Sequence, residues 1–135
     1  MKTIILVCIA VAIIGLLVIT LNLGYRIQHK NILGETLTPC STPGQKTTGY
    51  YRDGYCSTGP TDTGTHVVCA RMDDNFLEFT KSKGNDLTTP RDSFPGLVAG
   101  DKWCICALRW KEAHEAGKAP IIFPESTSDA FLKYA

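Results

Sequence analysis

The sequence predicts a small, loop-rich α+β domain behind a single transmembrane helix. Three observations lead there: an unbroken apolar run at the N-terminus, a long turn-rich stretch after it, and only a few short strand-like and helix-like patterns in the remainder.

No charged residue falls between Ile4 and Leu23. A helix of about 20 residues, rising about 1.5 Å at each, crosses a hydrocarbon core of roughly 30 Å. The run is longer than the apolar region of a secretory signal. It also ends in Ile19-Thr20-Leu21-Asn22-Leu23, with no small-x-small cleavage pattern. Residues 1–25 therefore read as an uncleaved anchor, 26–31 as a short connector and 32–135 as the domain, in a single-pass membrane protein. Cys8, Ala12 and Gly15, spaced i, i+4, i+7, put small residues on one helix face where a second helix could approach. Lys2 precedes the span while Arg26 and Lys30 follow it, a bias that favours a cytoplasmic domain.

Residues 34–65 are rich in Gly, Pro, Thr, Ser and Asp and read as turns, ordered by cross-links, ligands or partners. Thr65 to Met72 reads as a buried strand. Asp73 and Asp74 open a helix over 74–83, whose apolar face is Phe76, Leu77 and Phe79 and whose stop is Gly84. Lys102 to Leu108 alternates as a strand and runs into a helix over 109–116 closed by Gly117, the switch point being open. Ile121 to Phe123 is a short apolar run, and Ser126 or Ser128 can cap a last short helix carrying Ala130, Phe131 and Tyr134.

A formal net charge of +1 excludes nucleic-acid binding driven by bulk charge. Chemistry beyond that rests on five cysteines outside the span, Cys40, Cys56, Cys69, Cys104 and Cys106. The first expectation is that they are buried structural thiols. One or two disulfides are the next, with the pairing open and at least one cysteine necessarily left over. Cys56, His66, Cys69, Cys104 and Cys106 are residue types that suit a tetrahedral Zn²⁺, although a Cys-x-Cys pair is weak evidence for one. A thiol enzyme would use one cysteine as nucleophile, His66 as base and Asp53 or Asp86 to orient the imidazole. Arg52, Asp53, Asn85, Asp86 and Arg91 could line a ligand pocket, while Asp53-Gly54 and Asn85-Asp86 read equally as turn chemistry. There is no Gly-x-Ser-x-Gly and no phosphate loop.

Several strings together resemble a family of small bacterial proteins, domain of unknown function 2237. They include Asn31-Ile-Leu-Gly34, Pro39-Cys-Ser41, Gly49-Tyr-Tyr-Arg-Asp-Gly54, Thr58-Gly-Pro60, His66-Val-Val-Cys-Ala70 and Phe76-Leu-Glu-Phe79. Gly84-Asn-Asp-Leu87, Phe94-Pro-Gly-Leu97, Gly100-Asp-Lys-Trp-Cys104 and Trp110-Lys-Glu112 follow in order. Two departures stand out: Tyr55-Cys56 occupies a place where the family resembles Cys-Cys, and the usual members lack residues 1–30. The resemblance implies a boundary near residue 31 and a shared fold, and no activity.

The anchor, the short tether and the lack of a catalytic signature lead to a non-enzymatic interaction protein. Its partners would be membrane lipid and other proteins of an assembly, and no cofactor is expected. One setting is a large DNA virus particle, where a minor capsid protein would tie a coat to an internal membrane. The alternatives are a membrane-tethered thiol- or metal-dependent enzyme, or a small-ligand binding module.

Overall fold

The computed structural model describes residues 1–27 and 29–135, with the side chains of 22–28 outside the description. Gln28, in the expected connector, therefore lies outside the described residues.

Helix α1 spans Lys2–Ile27, and its 26 residues reach about 39 Å, long enough to cross a bilayer. Lys2–Leu21 is long and apolar enough for a membrane span, and the described side chains along it are exposed. Such a surface is stable only in lipid or against other apolar helices. Cys8, Ala12 and Gly15 lie exposed along it, and a Cβ added at Gly15 would meet no atom within 4 Å.

The domain is α+β, built on a two-stranded antiparallel sheet of β1 (His66–Arg71) and β2 (Lys102–Cys106). α2 (Asp74–Ser82) and α3 (Ala107–Glu115) pack near it, and short 3₁₀ turns occupy Pro124–Ser126 and Asp129–Lys133. Val67, Val68, Ala70, Met72, Phe76, Trp103, Ile105, Ala107 and Phe131 form the main core.

Local chemistry accounts for the element ends. The Asp73 carboxylate accepts from Phe76 N–H at 2.8 Å, capping α2, and Gly84 leaves the helix at φ +84°. Ser128, not Ser126, caps the last turn by accepting from Ala130 N–H at 3.2 Å. Ile122 bridges to Ala70, so the apolar run at 121–123 borders β1.

The strand-to-helix switch comes earlier than the alternation suggests. Ala107 and Leu108 belong to α3, and Ala107 N–H, which has no partner within the helix, makes a last rung to the Thr65 carbonyl at 3.1 Å. Cys106 is left as the last strand residue and the N-cap of α3.

Residues 34–65 lack strands, as their composition implies, and are tied down by two disulfides, Cys40–Cys69 and Cys56–Cys104. This corrects the expectation of reduced structural thiols. Cys69 and Cys104 face each other in the register, and each bonds a cysteine from the loop rather than its cross-strand neighbour. Both strands are thereby fastened to the same turn-rich segment.

Candidate functional site

The disulfides also divide the expected metal set. Cys56, Cys69 and Cys104 are consumed by bridges within a buried sulfur cluster, the Sγ atoms of Cys40, Cys56 and Cys69 lying within 4.8 Å of one another. Cys106 is the free cysteine of the domain, and it lies beside His66. A single shared Zn²⁺ among the five named residues is not what this arrangement provides.

Cys106 Sγ is 3.2 Å from His66 Nε2, and His66 Nδ1 is 2.6 Å from Asp62 Oδ1. The other oxygen of Asp62 accepts from His66 N–H at 2.8 Å and from the Thr58 hydroxyl at 3.0 Å. The Asp62 side chain is fully enclosed, while that of His66 is about one third exposed, so the relay runs from an interior carboxylate to an accessible ring. Burial opposes ionisation of Asp62, but the hydrogen bonds from His66 and Thr58 outweigh it and hold the carboxyl below its usual range.

Backbone features aim these groups. β1 bulges between His66 and Val68, so His66 pairs with Cys106 although Val68 already pairs with Ile105. Bulges of this kind re-aim a side chain beside a functional cleft. Thr65, just before His66, holds φ +49°, and Arg52, which lines the cleft beside His66, holds φ +52°. Gly64 is required by contact: a Cβ there would lie 2.6 Å from His66 Cε1 and 3.1 Å from Cys106 Sγ. Cys106 also sits at the N-terminus of α3 with no side chain capping it, where the helix dipole favours negative charge.

The hydrogen bond to Cys106 is the chief influence on His66. With the charges of Cys106 and Asp62, it overcomes partial burial and pushes the imidazole up from 6.5 to about 9. The ring is therefore cationic at neutral pH. Because the folded value is the higher, His66's contribution to stability is complete below about 6.5 and is lost as the pH rises through about 9. The melting temperature of the protein is expected to fall across that window more steeply than that of His66→Gln; parallel profiles would contradict the pairing.

The relay opens into a cleft of about 340 Å³ lined by Arg52, His66, Asn85, Arg91, Trp103 and Cys106, among others. Three of the expected pocket residues, Arg52, Asn85 and Arg91, thus meet the thiol and imidazole that were considered separately from them. Asp53 and Asp86 are not in this lining, and neither orients His66. Asp53 Oδ1 accepts from Tyr55 N–H at 3.0 Å, and Asp86 accepts from Thr88 and Thr89, which hold its carboxyl well below the usual range. The orienting residue is Asp62, which sequence reading missed. Its one signal is its place four residues before His66 in a turn-forming stretch. A second recess of about 190 Å³, lined by Thr63, Gly64, Thr65, Leu108, Arg109 and Tyr134, reaches Cys106 as well.

Fold and site together define a small disulfide-bonded α+β domain carrying a Cys–His–Asp relay at a cationic cleft. Residues 30–135 match a family described as an uncharacterized protein conserved in bacteria, domain of unknown function 2237. The chain belongs to this family. No curated protein matches it.

Proposed function

We propose that the chain is a membrane-anchored thiol enzyme of the acyl-transfer class, with Cys106 as nucleophile, His66 as acid and base, and Asp62 as the residue that orients His66. The observation that carries this reading is the Cys106–His66–Asp62 relay, at 3.2 and 2.6 Å, opening into a cleft.

The reacting form of the pair is imidazolium and thiolate, since sulfur attacks only after its proton has passed to His66 Nε2. Sγ attacks the substrate carbonyl carbon; the C–S bond forms as the carbonyl π pair moves onto oxygen. When that pair returns, the bond to the leaving group breaks and His66 Nε2–H protonates the departing atom. Neutral His66 then takes a proton from water, or from an acceptor hydroxyl or amine, as that group attacks the thioester. Thiolate leaves and the ion pair is restored. The two recesses at Cys106 offer separate room for the acyl part and the leaving group.

The anchor sets where this chemistry occurs. Two disulfides support an oxidising compartment and hence a domain outside the cytosol, against the weak bias from Lys2, Arg26 and Lys30. A non-enzymatic tether in an assembly, including the capsid setting, draws only on the apolar helix and leaves the relay unexplained.

p-Nitrophenyl acetate mixed with the full chain in mild detergent tests the proposal. Nitrophenolate release with acetylation of Cys106 is expected, abolished in Cys106→Ser and slowed by about 100-fold or more in His66→Gln. Undiminished release from Cys106→Ser would overturn it.

A further inference from the structure

We propose that the cleft at Cys106 selects acyl compounds bearing an anionic oxygen group, a carboxylate or a phosphate, beside an apolar body, with Arg52 and Arg91 holding the anion. This deepens the thiol-enzyme reading and rests on it for the word acyl; the anion preference stands on the cleft alone.

The charge of the lining is one-sided. Arg52, Arg91 and cationic His66 face the cavity, and no carboxylate residue is among its described lining residues. The nearby acids are engaged elsewhere. Asp62 is enclosed behind His66, Asp86 is wrapped by Thr88 and Thr89, and Asp53 takes the Tyr55 N–H.

Both guanidinium groups are held in place. Arg52 donates to the Gly49 carbonyl at 2.6 Å with its guanidinium 5.1 Å over the Trp103 ring. Arg91 donates to the Asp86 carbonyl at 2.8 Å and lies 5.6 Å over Phe94. A guanidinium has five N–H donors in a rigid fork, so one bond to a carbonyl and a stacked face leave donors in the ring plane for a planar or tetrahedral oxyanion. Trp103 and Phe94 meet edge to face at 5.5 Å, and Leu87 joins them on the wall. The cleft is therefore cationic above an aromatic surface, which suits an apolar body carrying one anionic group.

The probes are 3-phenylpropionate, phenyl phosphate and the neutral 3-phenylpropionamide. Each is titrated into full-length Cys106→Ser protein in detergent while the backbone amide shifts of Leu87 and Trp103 are followed, a readout that needs no reactive thiol. At least one anion is expected to bind about tenfold more tightly than the amide, with the preference lost in Arg52→Gln and in Arg91→Gln. Preference for phenyl phosphate alone would identify phosphate as the recognised group, and preference for phenylpropionate alone, carboxylate. Equal binding of amide and anions, or a preference surviving both arginine substitutions, would overturn the inference. The companion measurement is protection of Cys106 in the unsubstituted chain from iodoacetamide by the same compounds. A thiol that iodoacetamide does not modify contradicts the enzyme reading, whereas a reactive thiol with no anion preference contradicts only the selectivity.

Discussion

Replacing Cys56 and Cys104 together by alanine is expected to cost the domain about 4 kcal/mol, and replacing Cys40 and Cys69 as well to nearly double that loss. The bridges close loops with sequence separations of 48 and 29 residues. On the chain-entropy account each removes about 3.5 to 4 kcal/mol of denatured-state freedom. A domain of this size has a net stability of about 5 to 15 kcal/mol, so two such losses, about 7.5 kcal/mol together, remove half of it or more. The turn-rich stretch from 34 to 65 has no regular ladder of its own, and the bridges are its covalent ties to β1 and β2, beside hydrogen bonds such as that from Cys104 N–H to the Thr48 hydroxyl at 2.8 Å. Urea unfolding of the full chain in detergent measures the effect. A loss below about 1 kcal/mol for the Cys56/Cys104 pair would show that packing alone orders the loop.

Gly64→Ala is expected to lower the acetylation rate of Cys106 by about 100-fold while changing stability far less than the loss of a bridge. The added methyl would occupy the space where His66 Cε1 and Cys106 Sγ converge, and the movable partner is the imidazole. Turning the ring breaks both the 3.2 Å contact to sulfur and the 2.6 Å contact to Asp62, removing the acid–base partner. The nitrophenolate assay reads the rate and urea unfolding the stability. A normal rate in a folded Gly64→Ala protein would mean that the relay is not what activates the thiol.

Much of the fold was legible because its signals are local. Asp73 before Phe76-Leu77 announces α2, and the apolar runs at Val67-Val68 and Trp103 to Ile105 announce the strands. The bridge pairing was not, because Cys40 and Cys56 reach the strands only through loop turns whose path no local pattern encodes. The end of β2 was left open because Ala107 continues the apolar alternation, and no local pattern marks Cys106 as the last strand residue.

The site was visible in fragments. His66 and Cys106 were candidates for one reason, Arg52, Asn85 and Arg91 for another, and tertiary folding places them around one cavity. Asp62 escaped notice because an aspartate amid Thr, Gly and Pro reads as turn chemistry. It does act in the turn, through His66 N–H, and the same carboxylate also holds the ring.

The most direct test of the central claim is residue-resolved mass spectrometry of the full-length chain after brief exposure to p-nitrophenyl acetate at neutral pH. The relay predicts acetyl groups on Cys106, accumulating in the unsubstituted protein and scarcely at all in His66→Gln. Acetylation confined to lysines, or equal labelling of Cys106 in both proteins, would contradict it.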